Sequence, residues 1–486
     1  MYFYNPDRSV NTIIHLNTIL MTSFHDNFTT PVFGSSEEMR ICPKTVIPQH
    51  STTEEIAYQI VHDEAMLDGN SRLNMATFVT TYMDDSARKL MMETMDKNMI
   101  DKSEYPQTAE IERRCVNIMA KLWNSPEAPY CTGASTIGSS EACMLGGMAA
   151  LKRWKIRRKA ANKPTDNPNF IISSAFQVVW EKFSHYWDVE MRLLPITAEN
   201  ITMDPEAAIK LCDENTIMVV PIEGVTLTGL NDDVKKLNDA LDILNSKTGW
   251  DIPIHVDAAT GGFILPFVNP EVEWDFRLKW VLSISTSGHK FGMVYPGLGW
   301  IVWKDKKYLP EDMIFNVNYL GAEVGTIAIN FSRPGNQVLA QYYQFIRLGF
   351  DGYKRIQQNI LDVCEYIRKE VTRMGFKLLS HDLPNPLFAW VMKPDAKRKW
   401  TLYDLSDRMK SDGWQIPAYT LSANMEDVVV MRIVVRQGTG IDLANLLIDS
   451  MKRNMAELDL LKNPTETFLA LQNSQKIADK GFSHAK

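Results

Sequence analysis

Residues 281–292 read VLSISTSGHKFG, and this stretch carries the strongest indication of the fold. An apolar strand rich in serine and threonine leads to Lys290, which lies among small residues beside His289. A lysine held away from water has a lowered pKa and can bond to an aldehyde as an imine. Taken alone, a lysine that follows a strand is usually a solvated surface residue, so a second feature has to support the interpretation.

The stretch 252–263, IPIHVDAATGGF, provides that second feature. Asp257 ends another apolar strand and precedes small residues and two glycines, and ligands of open α/β sheets bind beyond such strand ends. A single aspartate at this position more often caps the next turn. Asp257 and Lys290, 33 residues apart (257 to 290), together suit pyridoxal phosphate. Asp257 would pair with the pyridine nitrogen, and Lys290 would hold the aldehyde.

The phosphate of that cofactor needs hydrogen-bond donors, and residues 136–142, TIGSSEA, offer them. Gly138, Ser139 and Ser140 lie where a long helical pattern begins, and the N-terminus of a helix binds anions. An ordinary serine cap is the alternative interpretation of this segment. The chain has no GxxxxGK[ST], GxGxxG, GxSxG or HExxH signature that would favour another chemistry.

Outward from these stretches, short apolar runs alternate with helical patterns, which predicts an α/β fold with a largely parallel sheet. The predicted strands are 170–173, 217–222, 252–257, 281–285 and 299–303. A smaller α+β domain follows a helix at 337–348, with strands at 386–392 and 428–435 and helices at 401–409 and 443–455. Earlier helices are predicted from 53 onward and at 140–161. The predicted divisions are an N-terminal arm and helix (1–75), a large cofactor-binding domain (76–350), a small C-terminal domain (351–460) and a tail (461–486).

Composition excludes several classes of function. With 486 residues, 45% apolar and 23% charged, the chain is typical of a folded protein, and a net charge of −7 argues against binding nucleic acid. The longest apolar run, 291–303, is too short and too interrupted to span a bilayer. Six scattered cysteines without CxxC favour reduced thiols, a cytoplasmic location and no metal site, and the N-terminus lacks a good export signal.

The motifs of the chain, in order, resemble those of the group II pyridoxal-phosphate-dependent decarboxylases, and among them the glutamate decarboxylase family of bacteria and plants. The resemblance covers residues from about 50 to 455. It implies a fold-type I enzyme, with a large, mainly parallel seven-stranded sheet, a small C-terminal domain and an N-terminal arm. The matching motifs are DGNSRLNMATF (68–78), IDKSEYPQTAEIERRCVNIMAKLW (100–123), TIGSSEACMLGGMAALKRW (136–154), HVDAATGGF (255–263), SISTSGHKFG (283–292), INFSRPG (329–335), TLYDLSDRMKSDGWQIPAY (401–419) and VVMRIVVR (429–436).

The resemblance implies a role for each matching residue around the cofactor. Lys290 forms the imine, His289 stacks or hydrogen-bonds near the cofactor, and Asp257 holds the pyridine nitrogen. The other implied contacts are Ala259 against the ring, Gln177 facing its other side, Thr226 near the phenolic oxygen, Ser139, Ser140 and Ser287 on the phosphate, and Phe331 and Ser332 on the phosphate of the neighbouring subunit's site.

Substrate recognition is implied for a different set of residues. Thr77, Phe78, Asn98 and Asp101 match the pocket for the distal carboxyl group of glutamate. An aspartate near that carboxyl raises the pKa of one of the two acids, which favours an acidic working pH. Arg432 matches the residue that binds the α-carboxylate, for which a planar guanidinium is suited. An exposed arginine at a strand end is the alternative.

The implied reaction is α-decarboxylation of L-glutamate to γ-aminobutyrate and CO2, with uptake of one proton, and we expect a role in acid resistance. Tyr319, in FNVNYLG, matches a proton donor on a mobile loop that reaches over the partner's site; a core tyrosine is the alternative. His484 matches a histidine with which relatives plug the site near neutral pH, and a solvated tail residue is the alternative.

Self-association follows from the same resemblance, because Tyr319, Phe331 and Ser332 would serve the neighbour's site. A dimer is then the minimal active unit, and a hexamer is the other expected form. No calmodulin binding is expected, and membrane association is expected to be absent or conditional. The competing functions are decarboxylation of aspartate, cysteine sulfinate or an aromatic amino acid, a different lyase or aminotransferase reaction, and a catalytically silent scaffold homologue.

Overall fold

The computed structural model describes residues 45–128, 131–198, 200–317, 324–394 and 396–461. The chain divides into two compact units, residues 1–70 and 71–486. In the first unit, helix α1 (Glu54–Ala65) begins where its pattern predicts, since the side chain of Thr53 accepts the Ile56 N–H. The sequence-based borders at 75/76, 350/351 and 460/461 stay predictions.

A seven-stranded sheet forms the centre of the second unit. Its strands are β1 (Thr132–Thr136), β2 (Asn169–Ser173), β3 (Glu190–Leu194), β4 (Thr216–Val220), β5 (Ile254–Asp257), β6 (Val281–Thr286) and β7 (Gly299–Trp303). Their order is β1-β7-β6-β5-β4-β2-β3, and β7 runs in the direction opposite to the other six, antiparallel to β1 and β6. The sheet is therefore largely parallel, and the α/β prediction is confirmed.

Helices cover this sheet, so its central strands are buried along their whole length. The helices are α2 (Asp85–Glu93), α3 (Pro106–Leu122), α4 (Ser139–Ala160), α5 (Val178–Trp187), α6 (Pro205–Leu211), α7 (Val234–Thr248) and α8 (Leu265–Val268). Helix α5 packs two aromatic rings onto β2, because Trp180 and Phe183 lie 5.8 and 5.6 Å from the ring of Phe170. This packing fixes Trp180 behind the carboxyl end of β5.

A smaller antiparallel sheet of four strands lies later in the same unit, after a pair of two strands. The elements in chain order are β8 (Phe315–Val317), β9 (Val324–Thr326), α9 (Asn336–Arg373), β10 (Lys377–Leu378), β11 (Leu387–Val391), α10 (Leu402–Ser411), β12 (Ala418–Thr420), β13 (Val429–Val434) and α11 (Ile441–Leu460). Strands β8 and β9 form the pair, and the order in the smaller sheet is β10-β11-β13-β12. Within the ranges described above, no helix is long and apolar enough to cross a membrane.

The predicted strands agree with the observed ones to within two residues, but three differences are informative. Strands β1 and β3 were not predicted, because the sequence TGAST has few apolar residues and EMRLL lies at an edge of the sheet. The helix predicted to end at residue 348 continues to Arg373 after a kink. Gly349 makes the kink at φ 57°, a conformation that glycine adopts without strain.

Candidate active site

The carboxyl ends of β5 and β6 lie side by side and are joined by the turns that follow them. Ala258 N–H donates to the Ser285 carbonyl at 2.9 Å, and the Thr286 hydroxyl donates to the Ala258 carbonyl at 2.8 Å. Asp257 ends one strand, and the turn after the other carries Lys290. The two residues that suggested the cofactor therefore meet at the sheet edge where α/β proteins bind ligands.

A cavity of about 450 Å³ opens at this edge. It lies between the start of α4, the start of α5 and the ends of β5 and β6. Of the residues predicted to contact the cofactor, it is lined by Ser139, Ser140, Gln177, Asp257, Ala259, His289 and Lys290. The fold thus gathers into one cavity residues that are distant in the sequence.

Lys290 is partly buried in this cavity, and its Nζ lies 5.0 Å from the ring centroid of Phe78. Desolvation lowers the pKa of Lys290, and Arg432 acts in the same direction. The opposing effect of Asp257 is smaller than that of desolvation. An amine with a lowered pKa is more often neutral, and the neutral amine is the form that attacks an aldehyde.

His289 is held as a neutral imidazole. Its Nδ1 accepts the backbone N–H groups of Gly297 and Leu298 at 3.2 and 3.1 Å. Desolvation, with the nearby charge of Lys290, lowers the pKa of His289 to about 4. Because two N–H donors point at Nδ1, the ring proton belongs on Nε2.

Asp257 is 3% exposed, and its carboxylate accepts two hydrogen bonds. The Trp180 indole N–H donates to Oδ2 at 2.9 Å, and the Ala259 N–H donates to Oδ1 at 3.2 Å. These two bonds hold the carboxylate in a fixed orientation at the end of β5, beside the cavity. Sequence reasoning missed Trp180, since a tryptophan in an apolar helix gives no signal beyond core packing.

The start of α4 offers the cavity backbone donors for a phosphate. Helix α4 begins after Gly138 with no side-chain cap, and Ser139 and Ser140 line the cavity there. An anion at this helix start would accept from its backbone N–H groups. Ser287, the third predicted phosphate residue, is not in the cavity lining; its hydroxyl is buried and has no hydrogen-bond partner among the described residues. Glu141, which the sequence analysis did not select, braces the site, because its carboxylate accepts the N–H groups of Ile137 and Ile329, each at 2.8 Å. The donors present fit the phosphate of pyridoxal phosphate.

The predicted substrate residues fall into two groups. In the first group, Arg432 lies 4.8 Å from the ring centroid of Phe78 and donates to the carbonyls of Thr226 and Ala76. Its Nε is buried and has no hydrogen-bond partner within the described ranges. The Thr77 hydroxyl accepts the Val79 N–H at 3.2 Å, which leaves its own proton available to donate.

The second group lies around Asn98. Its amide donates to the Ser332 hydroxyl at 3.3 Å and accepts the Arg333 N–H at 3.1 Å, while Asp101 follows in the same turn. Phe331 is 42% exposed. Neither group is among the residues that line the cavity around Lys290, although the Phe78 ring of the first group lies 5.0 Å from the Nζ of Lys290. Tyr319 and His484 lie outside the described residues.

Comparison with known proteins gives one consistent result. Residues 48–389 match the profile of the pyridoxal-dependent decarboxylase conserved domain. The chain is 46% identical to glutamate decarboxylase beta of Listeria innocua, over 94% of this chain and 98% of that protein. It is 48% identical to the glutamate decarboxylase of Lactococcus lactis subsp. lactis, over 89% and 93% of the two chains.

A solved structure agrees with these relatives. Glutamate decarboxylase from Lactobacillus brevis superposes with a TM-score of 0.85 at 48% identity, over 89% of this chain and 99% of that one. The chain therefore belongs to the pyridoxal-dependent decarboxylases and, among them, to the glutamate decarboxylase family, with pyridoxal 5′-phosphate as its cofactor.

Proposed function

We propose that this enzyme removes the α-carboxyl group of L-glutamate, forming γ-aminobutyrate and CO2 with uptake of one proton. One observation carries the proposal: Lys290 and Arg432 lie against the same ring, 5.0 and 4.8 Å from the centroid of Phe78. The amine for the cofactor and the cation for the α-carboxylate are thus close enough to share one substrate. Relatives named glutamate decarboxylase, 46% and 48% identical, support the choice of amino acid.

Different residues of the site would bind different parts of the cofactor. When bound, pyridoxal phosphate accepts the electron pair that remains on the substrate after CO2 leaves. Asp257 would pair with the pyridine nitrogen, and the bonds from Trp180 and Ala259 would hold its carboxylate in place. The phosphate would bind to Ser139, Ser140 and Ser287. Gln177 and Ala259 would flank the ring, His289 would contact it as a neutral imidazole, and Thr226 would lie near the phenolic oxygen.

Substrate orientation depends on the two ends of glutamate. The unpartnered Nε of Arg432 has a hydrogen to donate to the α-carboxylate. The hydroxyl of Thr77 has its proton available for the distal carboxyl. Asn98 and Asp101 would complete that distal pocket.

We also propose a dimer as the minimal active unit. Phe331 and Ser332 would serve the phosphate of the neighbour's site, and Asn98 is hydrogen-bonded to Ser332. Asn98 and Asp101 would therefore reach the same neighbouring site. A hexamer, a cytoplasmic location and a role in acid resistance belong to the proposal through the family resemblance.

Two further roles rest on sequence resemblance alone. Tyr319 would donate a proton to the α-carbon from a loop over the partner's site, which also excludes water. His484 would plug the site as the pH approaches neutrality.

The decisive experiment follows both products from the purified full-length enzyme with pyridoxal phosphate and glutamate at acidic pH. The comparison is Lys290→Ala, with the exposed Lys247→Ala as a matched control. Wild type and control should release CO2 and γ-aminobutyrate, and Lys290→Ala should release neither. Absence of both products from a wild-type enzyme that shows the absorption band of bound cofactor would reject glutamate. Aspartate, cysteine sulfinate and aromatic amino acids would then be tested.

A further inference from the structure

Arg436 is a buried arginine for which the proposed chemistry has no use. Its side chain is 4% exposed, and it follows β13, four residues after Arg432. Desolvation alone lowers the pKa of Arg436 to about 10, with no carboxylate of the described chain acting against it. A buried charge without a counter-ion is costly unless its hydrogen bonds are well satisfied.

The two terminal nitrogens of the Arg436 guanidinium donate to one short segment of chain, residues 71–81, while its Nε is buried without a partner among the described residues. Its Nη1 donates to the Val79 carbonyl at 3.0 Å and to the Thr81 hydroxyl at 2.9 Å. Its Nη2 donates to the carbonyls of Ser71 and Asn74 at 3.3 and 2.5 Å. The segment thus winds around the arginine, which holds both of its ends.

The same segment contacts the backbone of the active-site lysine. The Thr80 hydroxyl donates to the Lys290 carbonyl at 2.6 Å, and the Thr80 N–H donates to the His289 carbonyl at 2.8 Å. Thr80 is 6% exposed, so both bonds are shielded from water. These contacts fix the turn that carries Lys290.

Residues 76–78 contact Arg432, the residue proposed to bind the substrate's α-carboxylate. The Ala76 carbonyl accepts from Arg432 at 2.7 Å, and the Phe78 ring contacts both that arginine and Lys290. Every contact of the segment with the reacting groups is therefore made between the two ends that Arg436 holds.

We propose that Arg436 is a positioning residue of the active site. It folds residues 71–81 around its guanidinium, so that Thr80 fixes the backbone of Lys290 and Phe78 aligns the side chains of Lys290 and Arg432. The inference rests on the proposed function. It adds to the active site a residue that does not touch the substrate and that acts through Thr80 and Phe78. Lysine cannot replace it, because one ammonium cannot reach acceptors at both ends of the segment.

The test compares Arg436→Gln and Arg436→Lys with wild type in the holoenzyme. The control is Arg453→Gln, which removes an exposed arginine paired with Asp412. Both Arg436 variants should lower kcat/KM for glutamate by about a hundredfold. Backbone amides of residues 76–81 should exchange hydrogen faster in these variants before substrate is added. Bound cofactor, followed by its absorption, should remain, because the contacts to Asp257 and to the start of α4 do not involve Arg436.

Thr80 provides a second test if the Arg436 variants fail to fold. Thr80→Val should lower kcat/KM by about tenfold, and Thr80→Ser, which keeps the hydroxyl, should restore it. Wild-type kcat/KM in Arg436→Gln or in Thr80→Val would overturn the inference. Loss of activity in Arg436→Gln with unchanged amide exchange would also overturn it. A wild type that leaves glutamate intact would instead reject the proposed function, and the exchange measurement would still decide the role of Arg436.

Discussion

The backbone N–H of Glu223 donates to the carbonyl of Asp257 at 2.9 Å. A buried acid therefore stands beside the strand end that holds the cofactor site. Glu223 is 2% exposed, and its Oε2 has no hydrogen-bond partner in the part of the chain that the structure describes. Burial raises the pKa of Glu223 well above its ordinary value, and the charges of Asp232 and Asp233 raise it further. Protonation of Glu223 is thus coupled to the stability of this part of the fold.

Glu223→Gln should remove a pH dependence from the unfolding free energy. Because its pKa is raised in the folded state, Glu223 ionises first in the unfolded chain, whose ordinary value is 4.5. The protonated side chain of Glu223 therefore stabilises the fold fully below pH 4.5. This stabilisation is lost as the pH rises from 4.5 through the folded-state pKa. Relative to the variant, wild type should lose up to about 1.4 kcal/mol per pH unit in this range.

Urea unfolding at a series of pH values measures this difference, with the exposed Glu206→Gln as control. Asp232 works in the same direction, because burial raises its pKa to about 6. Asp232 is present in both proteins, so the comparison isolates the titration of Glu223 together with its coupling to Asp232. Parallel pH curves for wild type and Glu223→Gln would show that Glu223 is ionised in the folded enzyme.

Trp180→Phe should weaken cofactor binding, because it removes the 2.9 Å hydrogen bond to the Asp257 carboxylate and keeps most of the aromatic packing. A hydrogen bond to a charged group contributes about 1.5–3 kcal/mol, so the dissociation constant should rise about tenfold to a hundredfold. Titration of the apoenzyme with pyridoxal phosphate measures it. Trp187→Phe, a change at the end of the same helix, should leave the affinity unaltered, and equal affinities for all three proteins would contradict the role of Trp180.

His289 should stay neutral throughout the acidic working range. Its pKa of about 4 lies below its ordinary value of 6.5, so the stability contributed by the neutral ring is present above 6.5 and is lost as the pH falls through about 4. NMR of the enzyme with labelled imidazole nitrogens should show a proton on Nε2 and a titration midpoint near 4. A midpoint near the ordinary value, or a proton on Nδ1, would disagree with the bonds from Gly297 and Leu298.

Phe78→Leu should lower kcat/KM for glutamate by about tenfold, because both Lys290 and Arg432 lose the aromatic face that orients them. Phe78→Tyr keeps that face and should retain most of the activity if the added hydroxyl is accommodated. Steady-state kinetics of the two variants distinguish the effect of the aromatic ring from the effect of side-chain volume. Equal kinetics for leucine and tyrosine would show that only the volume of the side chain matters.

Mixed dimers should reveal which subunit Asn98 serves. Lys290→Ala and Asn98→Ala should each be inactive or nearly so, yet a refolded equal mixture should recover about a quarter of the wild-type activity. Half of the dimers are then hybrids, and each hybrid has one site with both natural residues. No recovery in a mixture whose hybrid dimers are demonstrated would place Asn98 in the site of its own chain.

Local patterns were sufficient to predict the class of fold and the centre of the site. The alternation of apolar strands and helices predicted the sheet. An aspartate at one strand end and a lysine after the next strand predicted the cofactor. Each of these patterns is formed by residues that are close together in the sequence. Strands β1 and β3 escaped prediction, since their burial depends on the strands beside them.

Other features of the site depend on contacts between residues far apart in the chain. Trp180 reaches Asp257 across 77 residues, Thr80 reaches Lys290 across 210, and Arg436 binds a segment more than 350 residues earlier. The neutral state of His289 and the raised pKa of Glu223 likewise follow from burial and from the backbone groups packed around them. No periodicity or spacing encodes such pairs, because distance and desolvation exist only once the sheet has brought its strand ends together.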